Sequence, residues 1–289
     1  MSKLIAKDPK TAKPSKPKIL IFGKPGVGKT WASLDFPSVY YIDTEGGANL
    51  DHYTEKLKAS GGMYLGPEDG ALDFDVIIQQ IQALATEKHH FKTLIIDSLS
   101  KVFNAAICSE NERLISQKKK TDFGVDRKPA VGALRRIVAW ILKMDMNVIF
   151  VAHEKALWLN GEQAGSTFDC WDKLEYELHL CLHIEKFAKR RTATVKKSRL
   201  QEFEAGESFP WSYQDFAGKY GEDVINAEGS RIELASAEQV AEVEKKTAML
   251  KVEPELIQKW FTKAGVEKFA EMDTTTIEKV IKYLNKQIA

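Results

Sequence analysis

Residues 23–30 read Gly23-Lys24-Pro25-Gly26-Val27-Gly28-Lys29-Thr30, and Trp31 follows. The spacing Gly-x-x-x-x-Gly-Lys-Thr is that of a loop whose backbone cradles phosphates. Gly23, Gly26 and Gly28 let successive N–H groups converge on phosphate oxygens, and the helix expected next turns its positive end toward them. Lys29 is expected to reach the β and γ phosphates and the Thr30 hydroxyl to ligate Mg²⁺. The ligands predicted for residues 23–31 are therefore a nucleoside triphosphate and Mg²⁺. An apolar run before the loop and a helical pattern after it supply the strand–loop–helix context this chemistry needs.

A second metal group is expected at the end of a buried strand beside the loop. The stretch "TLIID" supplies it in Asp97. Buried strands are also read at residues 18–22, 38–47 (ending in acidic residues and a glycine turn) and 147–154, and helical periodicity lies between them. Strands alternating with helices predict an α/β fold, a mainly parallel sheet covered on both faces. From Leu174 the pattern alternates through Tyr176, Leu178, Leu180, Leu182 and Ile184. "AKRR" then reads as a turn and "TATVKKSR" as a return strand, which predicts an appended β-hairpin. From Ser236 onward the chain reads as three helices, with capping boxes at Ser236/Gln239 and Thr275/Glu278. The expected domains are a basic disordered tail (1–17), an ATPase domain (18–209), a connector (210–235) and a helical C-terminal module (236–289).

The chain has 289 residues, 44% hydrophobic and 29% charged, as expected of a soluble globular protein. No apolar run approaches a membrane span, and the three cysteines form no CxxC pair, which predicts a cytoplasmic protein with free thiols. The net charge of +1 excludes a dedicated nucleic-acid coat, so any nucleic acid must meet local basic patches. Two segments qualify. Residues 113–128 hold Lys118, Lys119, Lys120, Arg127 and Lys128 with Phe123; residues 155–173 hold Trp158, Phe168 and Trp171. Cations for phosphates beside aromatics for bases is the single-strand pattern, although loop aromatics also pack loops down. His179, Cys181 and His183 stand in a row about 6–7 Å apart along one strand, which does not converge on a tetrahedral ion.

"YYIDTEGG", "FVAHE" and "VKKSR" carry a family resemblance. With the phosphate loop, they resemble the RecA-type core, in particular phage-encoded RecA-like ATPases that act in recombination as single-strand annealing proteins. The resemblance spans residues 18–209. It implies that Glu45 is the general base that activates water and that His153 senses the γ-phosphate, where RecA itself has glutamine. It implies that Lys197 and Arg199 reach a neighbouring subunit's nucleotide, like the Lys-x-Arg finger of hexameric replicative helicases. A homo-oligomer, ring or filament, with a composite ATP site on single-stranded DNA is the assembly implied. The C-terminal helices would then meet a single-strand-binding or replication protein. Hydrolysis does need a carboxylate that orients water in line with the γ-phosphate. Two other readings stay open: a helicase-like or loader ATPase of replication, and a non-hydrolysing nucleotide-dependent scaffold.

Overall fold

The computed structural model describes residues 14–119 and 125–288. Most of the basic tail (1–13), together with Lys120 and Phe123 of the first basic segment, lies outside the described residues.

A nine-stranded sheet organises the chain. Six strands run parallel: β1 (Lys18–Gly23), β2 (Val39–Asp43), β3 (Met63–Leu65), β4 (Thr93–Asp97), β5 (Asn147–Leu159) and β7 (Leu180–Phe187). Their order is β3-β2-β4-β5-β1-β7, and β8 (Arg190–Ser198) and β9 (Ser208–Pro210) extend it antiparallel. Alternation divides the core. Leu20, Phe22, Leu94, Ile96, Val148 and Phe150 point into one layer, while Ile19, Ile21, Ile95, Ile149 and Val151 point into the other. A strand buried on both faces must be apolar at every position, which is why these segments read as continuous runs. The first layer is covered by α3 (Phe74–Thr86), α4 (Leu99–Ser116) and α5 (Arg127–Lys143). The second is covered around α1 (Lys29–Ser33), α2 (Asp51–Ser60), α7 (Tyr213–Tyr220) and α8 (Glu222–Asn226).

The expected hairpin is present: β7 pairs parallel with β1 at the edge of the parallel strands, and β8 returns antiparallel. Two expectations need correction. The alternating run does not begin at Leu174. Leu174–Glu177 is a helical turn, α6, which sends Leu174 and Leu178 into the opposite layer from Leu180, Leu182 and Ile184 and leaves Tyr176 exposed. Residues 155–168 are not a loop. β5 runs on past the sheet and pairs with β6 (Glu162–Phe168).

The C-terminal helices α9 (Ala237–Met249), α10 (Pro254–Ala264) and α11 (Thr274–Ile288) share the first core layer through Val243, Ala264, Ile277 and Leu284. They sit against α5: Arg136 pairs with Glu267, and the Lys143 ammonium donates to the Ala264 carbonyl at 2.8 Å. The capping box at Ser236/Gln239 is present. The second is replaced by Asp273, whose carboxylate accepts from the Thr276 N–H at 2.8 Å and starts α11 two residues earlier. Among the described residues no helix is long and apolar enough to cross a membrane.

The last residues of the basic tail are docked. The Val148 N–H donates to the Pro17 carbonyl, and the buried Lys16 ammonium donates to the Ile225 carbonyl. Lys18 is buried too, donating to the Met144 and Met146 carbonyls. Burial pulls its ammonium down to about 7, against the attraction of Asp145. The unfolded chain therefore binds more protons than the folded one above pH 7, and folding stability rises with pH from there toward the ordinary lysine range. The denaturation midpoint of the wild type should climb between pH 7 and 10, by on the order of a few kcal/mol in stability. Lys18→Met should flatten that climb; equal slopes for the two proteins would refute the assignment.

Candidate nucleotide site

The cleft lies at the carboxyl ends of β1, β2, β4 and β5, where an open parallel sheet collects its ligands. It has a volume of about 550 Å³ and is lined by Gly23, Gly28, Lys29, Thr30, Glu45 and Asp97, with Tyr53, His153, Glu154 and Arg191. Two glycines of the loop are obligatory. A Cβ on Gly23 would stand 2.2 Å from the Ile184 carbonyl oxygen, because the β7 backbone crosses there. Gly28 has φ 88°, in the left-handed region, and turns the chain into α1.

The Lys29 ammonium folds back and donates to the Gly23 and Lys24 carbonyls at 2.8 and 3.0 Å. Burial pulls it below the usual lysine range, with Asp97, Glu45 and Glu154 opposing. The Thr30 hydroxyl donates to the Asp97 carboxylate. Asp97 is 5% exposed, and burial pushes its carboxyl up to about 6, with the Thr30 hydrogen bond acting against it. A cationic loop facing a buried carboxylate paired with a hydroxyl fits a polyphosphate and a hard divalent cation, which takes oxygen donors. Thr30 and Asp97 are the side chains that would hold Mg²⁺.

Glu45 is aimed by a turn that Asp43 builds. The Asp43 carboxylate accepts from the Glu45 and Gly46 N–H groups at 3.0 Å each and from the Ala48 N–H at 2.6 Å. Thr44 fastens this turn to the Asp97 strand: its hydroxyl oxygen accepts from the Ser98 N–H at 2.7 Å, and its own N–H donates to the Asp97 carbonyl. Glu45 then meets His153, with Nε2 and Oε1 2.6 Å apart. Burial raises the Glu45 carboxyl, but His153, Ser98 and Lys101 outweigh it and hold the group below the usual range. His153 is in turn fixed through its N–H, which donates to Ser100 Oγ at 2.9 Å; that hydroxyl donates to the Asp169 carbonyl at 2.5 Å.

Lys197 and Arg199 are not in this cleft. Lys197 pairs with Cys181, opposite Leu20, and the Arg199 N–H donates to the His179 carbonyl, whose own N–H reaches the Lys18 carbonyl. They therefore stand at the amino end of β1, roughly 20 Å along β8 from Arg191. Their side chains donate to the Leu178 and Tyr176 carbonyls. His179 lies between these cations and Lys18. Burial, with those charges, pulls its imidazole down to about 4, so it stays neutral and its Nδ1 accepts from the Lys18 N–H. Cys181 enters the core, and His183 stacks on Phe22 at 4.8 Å.

Sequence reasoning missed three contributors. Asp43 read only as a strand-end acid. Glu154, 2.9 Å from His183 Nε2, places a second carboxylate–imidazole pair beside the loop. Arg191 read as part of a turn. Its one available signal was its position: it follows the two-residue turn between β7 and β8, on the strand face opposite Arg190.

The model of the AAA domain family matches residues 15–202, well over half of the chain. Among solved structures, the chain is similar to one described as the crystal structure of the RadB recombinase, at 19% identity and a TM-score of 0.41, covering 66% of this chain and 84% of that one. No curated protein matches. The chain therefore belongs to the AAA domain family, and its phosphate loop, buried aspartate and mainly parallel sheet form an α/β core of the P-loop kind.

Proposed function

We propose that this protein binds ATP with Mg²⁺, hydrolyses it, and couples the cycle to single-stranded DNA in annealing or strand pairing, of the kind that serves phage recombination. One observation carries the DNA half of this reading. β5 leaves the nucleotide cleft at His153 and continues unbroken into the β5–β6 hairpin, whose tip exposes Trp158 (62%) and Leu159 (57%). A side chain beside the γ-phosphate site and an aromatic tip for bases thus share one strand. Lys155 stands between them along the strand, paired with Asp169 and Asp172 at 3.8 and 3.3 Å, and an exposed aromatic is the surface on which a splayed base stacks.

In the cleft, Lys29 holds the β and γ phosphates once it leaves the Gly23 and Lys24 carbonyls. Thr30 and Asp97 hold the cation. Bound Mg²⁺ neutralises charge on the phosphate oxygens. Glu45 orients the attacking water and accepts its proton. His153 aims Glu45, and its hydrogen bond makes the carboxylate a better director than a strong base. The full assembly is a homo-oligomer in which Lys197 and Arg199 face the next subunit.

Binding of a labelled oligonucleotide, with and without ATP across a salt series, tests this reading. Affinity should fall steeply with salt, as for any contact made through phosphates. Trp158→Ala should weaken binding at every salt concentration while sparing DNA-free ATP turnover. No binding at low salt with ATP present would exclude the DNA assignment.

A further inference from the structure

Arg191 lies two residues after the tip of the β7–β8 hairpin, whose two-residue turn is Ala188-Lys189. Arg190 beside it is exposed. Alternation along the strand sends Arg191 to the opposite side, onto the phosphate loop. The approach is close: a Cβ on Gly28 would stand 2.1 Å from Arg191 Nε and 2.8 Å from its Cδ. The hairpin is held there by β9, since the Trp211 N–H donates to the Arg191 carbonyl at 2.9 Å.

The guanidinium is not satisfied within the fold. Among the described residues its Nε is buried without a hydrogen-bond partner. The acids of the cleft are engaged elsewhere: Asp97 with Thr30, Glu45 with His153 and Glu154 with His183. Arg191 lines the cleft, and a buried guanidinium N–H without an acceptor there is unfavourable unless a ligand supplies one. The cleft is built for polyphosphate, and guanidinium is the side-chain group best matched to phosphate oxygens.

Its position selects the phosphates. Gly28 stands where the loop turns into α1, and loops of this pattern cradle the α and β phosphates with their backbone while the lysine reaches toward γ. Arg191 lies against Gly28, whereas the side chains expected at the γ-phosphate, Glu45 and His153, hold one another.

Resting on the ATP-binding reading above, we infer that Arg191 is a nucleotide-contacting residue supplied in cis: it clamps the non-transferred phosphates that ADP and ATP share. Gly28 is then required twice over, by its left-handed backbone and by the arginine lying across it. The clamp also ties occupancy of the loop to the β7–β8 hairpin.

Calorimetric titration of ADP and of a slowly hydrolysed ATP analogue should be run on wild type, Arg191→Ala, Arg191→Lys and Arg190→Ala. Steady-state turnover and thermal melting should accompany it. Arg191→Ala should weaken both nucleotides equally, by about tenfold or more, and raise KM with little change in kcat. Arg191→Lys should fall between, keeping charge without the fork, and Arg190→Ala should match wild type. Unchanged ADP affinity in a folded Arg191→Ala protein overturns the clamp alone. A loss confined to the ATP analogue or to kcat also overturns it, by moving the contact to the γ-phosphate. If Arg191→Ala melts early, the lysine variant decides, because wild-type affinity for both nucleotides in that protein overturns the bidentate contact. Wild type that binds neither nucleotide overturns the ATP reading and the clamp together.

Discussion

Glu45→Gln should abolish ATP turnover while leaving nucleotide affinity near that of wild type. The amide keeps the size and a hydrogen-bonding oxygen, so the turn built on Asp43 and the fit beside His153 survive. What it loses is the capacity to accept a proton from water, and general-base catalysis is worth roughly 10²–10⁴-fold in rate. In the proposed site, binding rests on Lys29, Thr30, Arg191 and the glycine backbone, which the substitution does not touch. Quenched-flow hydrolysis beside equilibrium binding separates the two; undiminished turnover would remove Glu45 as the base. The partner makes a second, signed expectation. His153 is the leading influence holding the Glu45 carboxyl below its usual range, against burial, which raises it. In His153→Ala that carboxyl should rise, and the acid limb of the pH–rate profile should move to higher pH. An acid limb that stays in place would show that the two groups are not coupled in the working enzyme.

The parts of this site that the sequence made legible are those whose chemistry is local. A phosphate loop needs eight consecutive residues and a strand before them, so residues 23–30 announce themselves. Asp97 follows because a five-residue run ending in one acid can hardly be anything but a buried strand that delivers it. The remaining contributors depend on distance in the fold. Arg191 acts through a register between β7 and β8 that brings residue 191 over residue 28, and no spacing along the chain encodes it. The misread elements had competing signals. Leu174 and Leu178 are four apart, which suits a helical stripe as well as alternation, and helix won because the following strand is taken up by β1. The β5–β6 hairpin did carry a sequence mark that went unused, Asn160-Gly161. Both residues adopt positive φ, 53° and 86°, as a two-residue turn between antiparallel strands demands. The segment read as a loop from its aromatics and its place after the fourth strand, whereas turn chemistry depends on two positions.

Mixing two inactive proteins should restore activity if Arg199 works on a neighbour's nucleotide. In its own chain Arg199 stands at the far end of β1 from the phosphate loop, too distant to touch the phosphates held there. Any phosphate it stabilises must therefore belong to another subunit. Of the basic pair, Arg199 is the better placed: it is exposed, while Lys197 is half-buried and burial pulls its ammonium below the usual range. Among the described residues its guanidinium donates to the Tyr176 carbonyl, one of the five N–H bonds the group can offer. An arginine in trans is worth roughly 10³–10⁵ in rate, so Arg199→Ala should be nearly inactive while still binding ATP. Lys29→Ala should be inactive for the opposite reason, an intact cation beside an empty loop. In a head-to-tail assembly of equal parts, about one interface in four joins an Arg199→Ala loop to a Lys29→Ala neighbour. Turnover should recover to about that fraction of wild type, from almost nothing in either protein alone. Recovery should vanish on dilution below the assembly concentration, since it requires contact between chains. Full activity of Arg199→Ala by itself, or no recovery in mixtures shown by light scattering to assemble, would each exclude the composite site.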